Sequence, residues 1–183
     1  MPLRSDWSGL PCPISRGLDV LGDPWVVVIL REVFTGNTRF DGIRAALGIA
    51  DTVLSSRLAR MVDHGLLERH PYRERGRTRH EYALTERGEA TLPVLHALAR
   101  WGRESGDAPD MELRVFCTDC GDEAASADWC TTCSQPLTRN NTAWRKPRSP
   151  HVLRPLAPGA TPVEAPVTPV GDPAPVTPAP PAG

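Results

Sequence analysis

The sequence predicts a mainly α-helical domain with one small β-hairpin, then a compact four-cysteine ribbon, then a proline-rich tail with no fold of its own. Three observations lead there. Apolar residues recur at helical spacing through most of residues 12–105. Four cysteines stand as two CxxC pairs within "CTDCGDEAASADWCTTC". Of the 20 prolines, 12 lie between Pro147 and the last residue, where "TPVEAPVTPVGDPAPVTPAPPAG" carries no aliphatic side chain larger than valine and too little apolar mass to offset chain entropy. The expected organisation is an arm over 1–11, a helical domain over 12–105, a ribbon over 112–140 and a solvated, partly polyproline-II tail over 147–183.

Pro13 and Pro24 are each placed as first-turn prolines, the second behind an Asp23 cap, because the first N–H groups of a helix lack partners anyway. "PISRGLDVLG" then reads as a short helix and "PWVVVILREVF" as a largely buried one, with a strand as the alternative for its β-branched run "WVVVIL". Gly36 and Asn37 turn the chain into a third short helix, "RFDGIRAALG", ending at Gly48. A fourth runs from Asp51 to a stop at Gly65. On its wheel Leu54, Leu58, Met61 and Val62 share one side, while Thr52, Ser56, Ala59 and Arg60 point the other way, flanked by Ser55 and Arg57.

"GLLERHPYRERGRTRHEYALT" gives two β-type segments, Leu66–Tyr72 and Thr78–Thr85, around a tip "RERGR" with Gly76 in the turn. Thr85 caps a final long helix in which Leu92, Leu95, Leu98, Ala99 and Gly102 recur at helical spacing. Pro93 conflicts with an unbroken helix, and a kink or two consecutive helices would resolve it.

This order contains a helix-turn-helix followed by a wing. In that geometry the second helix of the motif enters the major groove, so Thr52, Ser55, Ser56, Arg57 and Arg60 are the candidate base-edge face. Small side chains there let the backbone approach the groove floor. Arg73, Arg75, Arg77 and Arg79 on the wing suit phosphates or a narrow minor groove. Residues 1–105 hold 15 Arg against 13 Asp/Glu, whereas 106–146 hold four basic and seven acidic residues, so the basic excess lies with the candidate DNA-binding part.

The run from Cys12 to Gly102 resembles the HxlR-type winged-helix transcription regulators of bacteria, relatives of the MarR regulators. The segments that carry the likeness are "CPI", "LGDPWVVVILREVFTG", "RFDGIRAALGI", "LSSRL", "GLLER", "EYALTERG" and "LPVLHALARWG". Pro24 departs from the basic residue that the family pattern often has there. The resemblance implies a cytoplasmic homodimer on a pseudo-palindromic operator in double-stranded DNA, with the first and last helices of the domain at the dimer interface. It implies a transcriptional regulator, with repression the expected mode. For a cysteine in the matching "CP" position it implies a sensor of oxidants or electrophiles.

Cys117, Cys120, Cys130 and Cys133 form CxxC, nine intervening residues, CxxC. Two such knuckles bring four thiolates into a tetrahedral cage, for which Zn²⁺ is the usual occupant, iron or a redox-active disulfide pair being the alternatives. A cage with no open position serves structure and not catalysis. Gly121 suits the first tight turn, while Ser134 departs from the commoner glycine of the second. Asp119, Asp122, Glu123 and Asp128 make the ribbon acidic, which argues against a second DNA surface and leaves a protein partner for the ribbon or tail open.

Cys12 stands apart from these four. It lies at the start of the first helix, where exposed N–H groups and the helix dipole favour a thiolate; the alternative is a small buried residue packed on the second helix. No GxSxG, P-loop or dinucleotide fingerprint occurs, and the five histidines are scattered, so an enzyme is not expected. The longest apolar run is far short of the ~20 residues that span a bilayer, and a soluble, intracellular protein without membrane association is expected. The competing class is a zinc-dependent protein-binding adaptor without specific DNA binding.

Overall fold

The computed structural model describes residues 11–104, 113–146 and 149–164. Four helices lead the chain: α1 (Pro13–Leu21), α2 (Pro24–Phe34), α3 (Phe40–Leu47) and α4 (Asp51–Asp63). The start of α2 is set as its sequence predicts. Pro24 occupies the first turn and the Asp23 carboxylate accepts the Trp25 amide at 3.0 Å. The strand alternative for "WVVVIL" is not taken, because helical spacing turns Val26, Ile29, Leu30, Val33 and Phe34 onto one buried face. That face is the centre of the core. Ile43, Leu54, Leu58, Met61, Leu67, Leu84, Leu92 and Leu95 pack in the same cluster from the surrounding elements.

The wing is an antiparallel hairpin of β1 (Leu67–Glu74) and β2 (Arg77–Leu84). Its strands run closer to the tip than the expected five-residue loop allowed. Arg75 and Gly76 alone make the turn, both with positive φ (48° and 77°), the arrangement whose twist matches paired strands. Thr85 caps α5 (Glu86–Glu89) by accepting the Gly88 amide at 3.0 Å. The chain then restarts as α6 (Leu92–Glu104), so Pro93 falls in a first turn and the predicted conflict resolves into two helices.

Beyond the helices, β3 (Arg114–Cys117), β6 (Thr142–Arg145), β7 (Val152–Pro155) and β8 (Val163–Glu164) form an antiparallel sheet in that order, with β4 (Trp129–Cys130) and β5 (Gln135–Pro136) as a separate two-stranded ribbon. This corrects the expected boundaries. The sheet joined to the ribbon continues past residue 140, and two segments of the expected tail, Val152–Pro155 and Val163–Glu164, are strands. Thr142–Arg145 and Val152–Pro155 pair with each other, and Leu156 is buried. The apolar residues of "HVLRPL" were outweighed in the composition by the prolines that follow. The arm over 1–10 and the tail from 165 onward lie outside the described residues, as do 147–148.

The two parts share one interface. Trp144, fully buried, packs its ring 5.8 Å from both Phe34 of α2 and His96 of α6. Lys146 reaches Glu32 at 3.3 Å and the Thr35 hydroxyl at 3.0 Å, and Arg139 reaches Glu89 at 2.7 Å. Burial pushes the Glu32 carboxyl up, but Lys146, Arg31 and Asn37 outweigh it, holding the group below the usual carboxylate range.

Candidate nucleic-acid interface and metal centre

The helix-turn-helix consists of α3 and α4, joined through Gly48 in the left-handed region and the buried Ile49. Leu54, Leu58 and Met61 anchor α4 inward, which leaves Thr52, Ser55, Ser56 and Ala59 exposed on its outer side. The arginines on this helix behave differently from the expectation that they project with the small residues. Arg57 is half-buried and forms a 2.5 Å ion pair with Asp23, too bent at Nε for an aligned hydrogen bond. Arg60 is also half-buried, donating to the Asp19 carbonyl of α1 and to His64 at 3.3 Å. Both therefore brace the recognition helix against α1 and the start of α2. Spacing places them near the polar face, but long side chains can fold back to satisfy a helix terminus, which a wheel does not reveal.

On the wing, Arg73, Arg75 and Arg77 are exposed around the tip. Arg79 is engaged, ion-paired with Asp41 of α3 and with Glu74 at 3.1 Å. Tyr72, Glu74, Arg77 and Arg79 share one hairpin face. Arg39 stacks its guanidinium 4.6 Å from the Tyr72 ring, and the Tyr82 amide donates to the Thr38 carbonyl, so the hairpin is fixed to the start of α3. The wing is thereby anchored to α3, the first helix of the helix-turn-helix.

Cys117, Cys120, Cys130 and Cys133 meet with all four sulfurs within 4.8 Å of one another. Cys117 and Cys133 are 3.8 Å apart, and Cys120 and Cys130 are 3.7 Å apart. Four sulfurs at ~2.3 Å from a common ion stand ~3.8 Å apart in a tetrahedron, so these separations suit metal coordination and are far beyond an S–S bond. The two knuckles are built alike. The residue after each, Gly121 (φ 83°) and Ser134 (φ 53°), turns in the left-handed region. The Cys133 amide points at the Cys130 sulfur at 3.5 Å and lowers that thiol's pKa. Donating its S–H to Cys120, together with burial, pushes the Cys133 thiol far up. A cation among the sulfurs would reverse that crowding by holding all four as thiolates.

Cys12 is exposed at the N-cap of α1. The packed, structural alternative for it is not adopted. Its thiol is lowered by the Ser15 amide first, then by the Ser15 hydroxyl and the Ile14 amide. Helix α1 buries none of its residues fully, and its Ile14 and Leu18 are exposed together with Val94, Leu98 and Trp101 of α6, at 42–73% of their surfaces. No helix among the described residues is long and apolar enough to cross a membrane.

His96 escaped sequence reasoning as a site residue. It is fully buried and joins two segments remote in the chain. Trp144 donates to its Nε2 at 2.9 Å, and its Nδ1 meets the Ala127 carbonyl at 2.7 Å. A lone histidine at an apolar helical position gives no signal of this, since its partners lie 48 and 31 residues away.

A helix-turn-helix with an arginine-tipped wing defines a DNA-binding protein of the winged-helix class. The chain belongs to the HxlR-like helix-turn-helix family, whose model matches residues 20–110. It is 37% identical to an uncharacterized HTH-type transcriptional regulator of Mycobacterium tuberculosis over 131 residues, covering 70% of this chain and 81% of that one. A second HTH-type transcriptional regulator, of Synechocystis, is 37% identical over 98 residues, covering 53% of this chain and 72% of that one. Among solved structures, the crystal structure of PA1607, a proposed transcription factor, superposes with a TM-score of 0.61 at 33% identity, over 73% of this chain and 94% of that one. The 131 residues shared with the mycobacterial relative exceed the helix-turn-helix match, so that likeness continues into the cysteine ribbon. The protein is thus a transcriptional regulator of the helix-turn-helix type, and its family consists of regulators and not enzymes.

Proposed function

We propose that the protein acts as a homodimeric repressor on a pseudo-palindromic operator, with the exposed face of α4 in the major groove and the wing tip on the adjacent backbone or minor groove. The observation that carries this reading is the small, polar, exposed face of Thr52, Ser55, Ser56 and Ala59 on α4, together with an exposed arginine tip on a hairpin anchored to α3. Arg57, Arg60 and Arg79 position that surface, whereas Arg73, Arg75 and Arg77 meet phosphates. The apolar stripes of α1 and α6 support the dimer, since Ile14 and Leu18, and Val94, Leu98 and Trp101, are spaced at helical turns and exposed in a single chain. The four cysteines hold Zn²⁺ as a closed structural site, which supports a ribbon too small to fold on its own core.

Cys12 is the thiol through which a reactive signal would enter. It begins α1, and Arg60 of the recognition helix grips the Asp19 carbonyl near the other end of α1, so a displaced α1 pulls directly on α4. Titration of the metal-loaded protein with a thiol reagent checks this, the expected result being rapid reaction at Cys12 and a change in DNA affinity.

A gel shift against DNA upstream of the protein's own gene, at two salt concentrations, tests the regulator reading. Six to ten phosphate contacts make affinity fall steeply with salt. Absence of a shift at low salt with folded, metal-loaded dimer would instead favour a protein-binding adaptor.

A further inference from the structure

We propose that the four-cysteine cluster is a regulatory site for α6: a bound metal ion clamps the loop between the knuckles onto that helix, and loss of the ion releases it. The inference rests on reading the cluster as a metal centre. The loop of residues 121–129 is bounded by Cys120 and Cys130, so its ends are fixed by the same ion. Two of its residues grip α6. The Ala127 carbonyl accepts from Nδ1 of His96 at 2.7 Å, and the Glu123 carboxylate takes Arg103 at 3.2 Å. His96 and Arg103 are seven positions apart, two helical turns, and therefore share one face of α6.

The loop thus lies along the helix, opposite the stripe of Val94, Leu98 and Trp101 that faces outward. Trp144 closes the arrangement from behind. Its indole N–H can only donate, so Nε2 of His96 must be bare and the ring proton must sit on Nδ1, aimed at the loop. Short backbone bonds also hold the loop, from Ala124 to Val115 of β3 and from Leu137, just after β5, to Asp128, both 2.8 Å. With the ion in place the loop is held from both ends and the middle. Without it, four neighbouring thiols have only weak mutual bonds, the ends of the loop lose their common anchor, and only the backbone bonds of its middle hold it near His96.

The test uses the full chain and Zn²⁺ alone as probe. Hydrogen exchange of the α6 amides is measured in metal-loaded protein and after chelation. The expected result is exchange in α6 faster by on the order of tenfold after chelation, with the amides of α2 and α4 little changed. Should chelation unfold the whole chain, the H96L/E123A variant decides in its loaded state. It is expected to keep its metal yet show the fast α6 exchange of the stripped protein. Equal α6 exchange in loaded and stripped protein, or wild-type protection in the loaded variant, would overturn the proposal. So would a chain that takes up no stoichiometric Zn²⁺. None of these readouts requires DNA, so they stand apart from the operator assay.

Discussion

The indole N–H of Trp144 donates to Nε2 of His96 across 2.9 Å, joining the sheet of the cysteine ribbon to the last helix of the DNA-binding domain. The bond requires a neutral imidazole. Protonation would place two N–H donors against each other in a site sealed from water.

A dependence of stability on pH follows. Burial lowers the pKa of His96, and its bond to Ala127 only partly offsets that. Below the ordinary histidine pKa of ~6.5 the unfolded chain takes up a proton that the folded chain refuses, so stability is full above that pH and falls as pH drops toward the folded pKa, by at most ~1.4 kcal/mol per unit. Urea unfolding at pH 7 and pH 5 should show the loss, and the H96Q variant should show a flatter profile.

Substituting the brace separates architecture from base reading. R60A removes bonds to the Asp19 carbonyl and His64, and should cost about 1–3 kcal/mol of folding stability while weakening operator and random DNA in similar proportion. A selective loss on the operator, without a stability change, would return Arg60 to the base-contacting face. By contrast, S56W should leave the melting temperature nearly unchanged and abolish binding, because its bulk blocks approach to the groove floor.

The wing has a separate signature. Replacing both Arg75 and Arg77 with alanine should reduce the slope of log affinity against log salt by about two units, at ~0.9 per phosphate contact. Fluorescence anisotropy at several salt concentrations reads this directly, and an unchanged slope would place the tip away from DNA.

In the ribbon, Ser134 adopts a φ of 53° where its counterpart Gly121 turns without strain. S134G should stabilise the metal-loaded protein by roughly 1 kcal/mol, seen as a higher melting temperature at fixed zinc.

Much of this arrangement is legible in the residues. Asp23 and Pro24 announce the start of α2, Gly48 the turn before the recognition helix, and the two CxxC pairs their shared site, because each depends on chemistry within a few positions. Reading fails where long side chains or distant segments decide. Arg57 and Arg60 lie near the polar side of α4 on a wheel, yet their guanidinium groups fold back to Asp23 and Asp19. His96 gains its meaning only from Trp144 and Ala127. The strand at Val152–Pro155 was hidden by the proline-rich composition around it, since pairing with β6 depends on an edge that composition does not describe.

The central claim is that the α4 face and the arginine wing engage two half-sites through a two-fold dimer. Hydroxyl-radical footprinting of the metal-loaded protein on its own upstream DNA tests it most directly. The account predicts two protected patches related by symmetry, their centres about 34–36 Å apart along the duplex. A uniform, unpatterned protection, or none at low salt, would contradict it.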